Sequence, residues 1–198
     1  MFFLLTPWRI IGTLFGLLAI GIPALALLFF FLALTGTPGS CEAEGRPIAG
    51  TIQEAGVFDT KWKQLNLALN SGSPSTATFA EGEATGRARL WVDANDVPVS
   101  ELFLCFSTAN GGQASGKIDV PFFPGDVDVL IAGTVDLTGE HPNADIEEFE
   151  VGGLPGPMTN LVEGFINSLI DDQEGKIDLT HDYAATFGDG TVTISGQP

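Results

Sequence analysis

The sequence predicts an α+β protein: one N-terminal transmembrane helix, then a single extracytoplasmic domain with a curved antiparallel sheet packed on amphipathic helices. Three observations carry this expectation. Residues 10–34, IIGTLFGLLAIGIPALALLFFFLAL, contain no charge. From Val97 onward the apolar period falls from the helical to the alternating one. Residues 161–170 then return to a helical stripe before a closing hairpin, the order that marks α+β rather than α/β. The expected division is an anchor at 1–34, a Gly/Pro-rich stalk at 35–56 and the domain at 57–198.

A helix rises about 1.5 Å per residue, so 10–34 is long enough for a hydrocarbon core of about 30 Å with some tilt. Thr6-Pro7 suits a helix start, Trp8 suits the membrane interface, and Pro23 kinks the middle. Gly12 and Gly16 form a G-x-x-x-G on which a second helix can pack closely. Arg9 precedes the stretch, and Arg46 and Lys61 follow it, so the basic flanks give modest support for a cytoplasmic N-terminus. The alternative is a cleaved signal, cut after Gly39, although such apolar regions usually run about 7–15 residues. A lipoprotein signal using Cys41 fails on Pro38 and Gly39.

The chain of 198 residues has 25 acidic and 8 basic residues, a net charge of −17, and every acidic residue follows the apolar stretch. That balance excludes nucleic-acid binding, which needs positive charge against phosphate. The cysteines are Cys41 and Cys105. In an oxidising compartment they can pair and tie stalk to domain; otherwise Cys105 is a small buried hydrophobe and Cys41 is free. No C-x-x-C is present, so zinc and thioredoxin-type chemistry lack their ligands.

Within the domain, Asp59 is expected to cap a short helix with Phe58, Trp62, Leu65 and Leu69 on one stripe, although Leu65, Leu67 and Leu69 also alternate as in a strand. Thr78-Phe79-Ala80-Glu81 fits a capping box for a helix to about Ala94, with Ala80, Ala84, Ala88 and Trp91 inward. Gly82 and Gly86 weaken that helix but permit close packing against a sheet. VPVSELFLCFS is a strand, Asn110-Gly111 a hairpin turn and QASGKIDVPFF its partner. DVDVLIAGTVDL and ADIEEFEVGGL continue the meander. Pro157 opens a helix whose Leu161, Val162, Phe165, Ile166, Leu169 and Ile170 share one face. KIDLTHDYAATF, a GDG turn and TVTISG close the chain as a hairpin.

The strand meander entering V-G-G-L-P-G-P at 151–157, followed by an amphipathic helix and a last hairpin, resembles the LmeA-like bacterial phospholipid-binding proteins. More distantly it resembles the tubular lipid-binding (TULIP-like) fold. The resemblance spans about residues 78–196. It implies a curved sheet around a long helix, with an apolar groove for acyl chains, and it transfers no individual site residue. The departures are a retained anchor and an acidity ill suited to anionic lipid surfaces.

Catalytic constellations are not evident. His181 and Asp182 are strand neighbours that point to opposite faces, and His141 lies in a GEHPN turn. Residues 170–181 miss both key carboxylates of an EF-hand, with Ile170 first and His181 last. The expectation is therefore a membrane-anchored, single-pass, non-enzymatic domain without cofactor or metal, binding membrane lipid or another apolar ligand. Its groove would be lined by Phe122, Phe123, Phe149, Leu161, Val162, Phe165, Ile166, Leu169 and Ile170. The alternative is an accessory subunit that meets other transmembrane subunits through Gly12, Gly16 and the acidic domain.

Overall fold

The computed structural model describes residues 48–109, 111–119, 126–152, 160, 162–168, 170 and 178–198. The anchor at 10–34, Gly12, Gly16 and Cys41 lie outside the described residues. The expected fold class is corrected on two points. No helix among the described residues is long and apolar enough to cross a membrane. The longest, α1 (Ile52–Asn70), carries Glu54, Asp59, Lys61 and Lys63 within its 19 residues, charges that a bilayer core would penalise. The strands, moreover, form two antiparallel sheets instead of one.

α1 starts earlier than Asp59 because a better cap lies upstream. Thr51 Oγ1 accepts from Glu54 N at 3.2 Å, and the Glu54 carboxylate takes the Thr51 N–H at 2.7 Å. This is a reciprocal capping box. Residues 48–56, read as stalk, thus belong to the domain, and Ile48 is buried. Asp59 instead holds Arg87, Nε to Oδ1 at 3.0 Å.

Thr78 caps nothing either. Residues 75–80 alternate and form β1 (Ser75–Ala80), paired with β7 (Thr191–Gly196) from Ser75↔Gly196 to Ala80↔Thr191. The Thr78 and Thr193 hydroxyls meet at 3.0 Å. α2 (Glu81–Ala94) begins only after the strand. It buries Ala84 as expected, but also Glu81, Thr85, Gly86 and Val92. Gly86 serves a helix contact: a Cβ there would stand 2.5 Å from Thr51 O, so only glycine lets α1 approach this closely.

The meander is as expected: β2 (Val99–Ser107), β3 (Gly111–Asp119), β4 (Asp126–Asp136) and β5 (Asn143–Val151) lie in sequence order. Its β2 edge is covered by a side-chain ladder from α2. Phe106 N donates to Glu81 Oε1 at 2.8 Å, and Leu104 N to Thr85 Oγ1 at 2.9 Å. Leu102 O accepts from Arg89 Nε at 2.8 Å. Four helical residues rise about 6 Å and two strand residues about 6.7 Å, so an i, i+4, i+8 series can follow alternate backbone groups of a strand. Backbone groups that a neighbouring strand would otherwise pair are thereby satisfied.

The second sheet runs β1-β7-β6, with β6 at Tyr183–Gly188. It packs on α1 through Leu65, Leu69, Phe79, Tyr183, Val192 and Ile194, with Phe58 and Trp62 at the margin. A helix, α3 (162–168, with 160 and 170 also helical), lies on the four-stranded sheet. There Val162 and Ile166 pack with Ile118, Val127, Val129 and Val151.

Candidate functional site: a glycine-floored pocket

Among the described residues, α3 does not extend over the same face of the four-stranded sheet farther along. The shape left there is legible in the pairing. Gly112 stands opposite Gly133, Ala114 opposite Ile131, and Val135 opposite Ala144. Each of these pairs has glycine or alanine on at least one side, which keeps the side-chain volume of the floor small. The wall comes from Leu104 and Phe106 on β2, Ile146 on β5 and Phe187 of the other sheet. Phe187 lies tilted against Phe106 with centroids 5.9 Å apart, and a Cβ on Gly112 would meet its ring at 3.2 Å. Gly133 sits at a bulge where a Cβ would be 2.1 Å from Asp145 O, so no larger residue fits. The result is an open-mouthed cavity of about 320 Å³.

Gln113, Thr134 and Asp145 are the polar residues on its lining, which has no histidine, cysteine, serine or lysine. At the end of β4, Asp136 is held below the usual carboxylate range by the Thr138 N–H at 2.9 Å, helped by the Thr138 hydroxyl. It is a fixed negative charge next to pocket-lining Val135.

The expected groove residues lie beside this pocket. Phe149, Val162, Phe165, Ile166 and Ile170 pack into the cluster beneath α3, and Val162 and Ile166 are 0% and 1% exposed. Ile131 belongs to both, packing against that cluster and lining the cavity. Phe122, Phe123, Leu161 and Leu169 lie outside the described residues. The pocket residues carry no sequence signal of the usual kind, since a cavity is built from missing side chains. The one available hint is glycine at two strand-interior positions, where it marks a bulge or a close approach.

Cys105, on β2, is 4% exposed beside Ile48, Leu130 and Phe103, and it is disulfide-bonded. The sequence holds one other cysteine, Cys41. The histidines do not converge on the pocket. His141 Nδ1 lies 3.6 Å from Asp178, while His181 Nε2 meets Asn70 Oδ1 at 3.0 Å. Among the described residues no group of three or more histidines, cysteines or carboxylates comes together to hold a metal ion.

Comparison with known proteins finds no family model, no curated protein and no solved structure that matches this chain. The likeness to the LmeA-like proteins rests on the strand meander entering 151–157, the amphipathic helix after it and the last hairpin; residues 153–157 lie outside the described residues.

Proposed function

We propose that the domain is a non-enzymatic module that binds an apolar ligand, the alkyl part of an amphiphile, in the glycine-floored pocket. The observation that carries this reading is the cavity itself. Protein interiors are close-packed, and a void of about 320 Å³ on a sheet face is at the lower end of small-molecule sites. Its walls are aliphatic and aromatic, so an alkyl chain gains about 0.8 kcal/mol for each buried methylene. A single lining carboxylate, Asp145, with no histidine, cysteine, serine or lysine on the lining, supports binding rather than chemistry. The disulfide at Cys105 supports an oxidising, extracytoplasmic location. The uncharged run at 10–34 supports a place at the membrane.

The test is solvent extraction and mass spectrometry of the purified full-length chain, with titration of a fluorescent alkyl probe. Ala114→Leu places four heavy atoms on the pocket floor in place of one and should abolish probe binding while leaving the fold intact. Neither copurified amphiphile nor probe binding, or probe binding unchanged in Ala114→Leu, would overturn the proposal.

A further inference from the structure

The outer face of α1 differs in charge from the rest of the chain. Nine residues of α1 are exposed, and they recur between Ile52 and Asn70 at the spacing of a single helix face. None of them is a carboxylate and Lys63 is a cation, on a chain whose net charge is −17. Ile52, Val57 and Leu67 are 78%, 40% and 68% exposed, three of the four large hydrophobic residues exposed among the described residues. Singly exposed apolar residues are ordinary, but these three share one acid-free face. Thr60 stands between them, and its hydroxyl donates to Gly56 O at 2.8 Å, so it can be covered without losing its partner. The carboxylates of α1 are engaged elsewhere. Glu54 caps the helix through Thr51, and Asp59, at the margin of the face, holds Arg87.

Area and chain length decide what covers this face. From Ile52 to Leu67 it runs about 22 Å, and at a helix width of about 10 Å it offers roughly 220 Å². A stable protein partner takes about 800 Å² from each side, so the face is too small to hold a second copy by itself. The uncharged run ends at residue 34 and α1 begins at Ile52, so residues 35–51 span at most about 60 Å. A tether that short holds a bilayer surface at an effective concentration of millimolar order, where a weak contact is occupied. An acid-free face also brings an acidic domain to lipid with the least like-charge repulsion. We infer that the outer face of α1 rests on the lipid bilayer, with Ile52, Val57 and Leu67 in the interfacial layer and Lys63 against lipid phosphate. The inference rests on the membrane place read from residues 10–34, and it is independent of the pocket.

The test uses the full-length chain, methyl-labelled at Ile, Leu and Val, with nanodiscs of phosphatidylcholine and phosphatidylglycerol that carry a nitroxide-labelled lipid. The methyl resonances of Ile52, Val57 and Leu67 should lose severalfold more intensity to the lipid nitroxide than those of buried Ile118 and Val127. The same three methyls should be shielded from a water-soluble gadolinium chelate. Ile52→Asp/Leu67→Asp changes exposed positions only, so the fold should persist while the Val57 methyls regain most of their intensity. A nanodisc-bound chain whose α1 methyls are broadened no more than Val127 overturns the inference and leaves the membrane place standing. Shielding from gadolinium without broadening by the lipid nitroxide assigns the face to a second copy and overturns it as well. A chain that does not associate with nanodiscs removes the membrane place, and the inference falls with it.

Discussion

Replacing Thr85 by valine tests the ladder that joins α2 to the edge of β2. Thr85 is fully buried, and its hydroxyl is the acceptor for Leu104 N–H at 2.9 Å. The same hydroxyl makes a longer bond, 3.4 Å, to Leu104 O. Valine has nearly the same shape, so the change opens no cavity and isolates the polar term. It leaves the Leu104 amide in the interior without its acceptor, which costs about 1–3 kcal/mol. Against a total stability of about 5–15 kcal/mol that is a visible loss. Thr85→Ser keeps the hydroxyl and gives up one methyl, so it should cost about 1 kcal/mol. The assay is urea unfolding of the three proteins, joined with amide exchange. In Thr85→Val the Leu104 amide should exchange faster, while that of Ala114, between two strands, changes only with global stability. A valine variant with the wild-type midpoint and an equally protected Leu104 amide would refute the ladder as a determinant of stability.

Glu54 provides a pH test. Its carboxyl lies below the usual range chiefly because of the Thr51 N–H, then the Thr51 hydroxyl and the charge of Arg89. A lowered folded pKa means that the unfolded state binds the proton more readily. The stability it contributes is therefore present above about 4.5, its ordinary value, and is lost as pH falls through the folded value. The melting-temperature difference between wild type and Glu54→Gln should shrink between about pH 6 and pH 3; a constant difference would contradict the assignment. Thr51→Ala, which removes the other half of the cap, should cost about 1 kcal/mol in urea unfolding at neutral pH. Reduction of the Cys105 disulfide should lower stability by about 2–5 kcal/mol and slow migration on a non-reducing gel. Equal urea midpoints with and without reductant would show that the bridge constrains little.

The elements that the sequence reveals are those with local signals. The 188–190 turn, the apolar stripe of 161–170 and the alternation of 126–136 are each readable within about a dozen residues; the turn and the alternation appear in the structure, as do Val162, Phe165, Ile166 and Ile170 of the stripe. β1 has no such advantage. Thr78 and Glu81 satisfy the capping-box pattern, yet the partner that makes 75–80 a strand lies at 191–196. Glu81 is drawn inward to hold Phe106 N–H instead. The true box, Thr51 with Glu54, has the same T-x-x-E spacing but sits in what composition marks as a stalk. The pocket is least legible of all. Gly112 and Gly133 acquire meaning only when the register sets them opposite each other, and Phe187 arrives from a different sheet. The stripe at 161–170 announces a buried helix face without saying that Ile118, Val127 and Val129 already fill it.

The placement of β7 between β1 and β6 has a consequence for the order in which the protein acquires its structure. During synthesis β1 emerges with α1 and α2, but its hydrogen-bonding neighbour does not exist until residues 191–196 have been added. The four-strand meander pairs each strand with the next and can form as it leaves the ribosome. Phe79, Leu65 and Leu69 meanwhile lack Val192 and Ile194, against which they are finally buried. The nascent chain thus passes through a stage with one finished sheet and one exposed apolar face, the condition in which chaperone binding and aggregation compete. Closing the second sheet spans nearly the whole domain in sequence, so it is the slow, high-contact-order step of refolding as well.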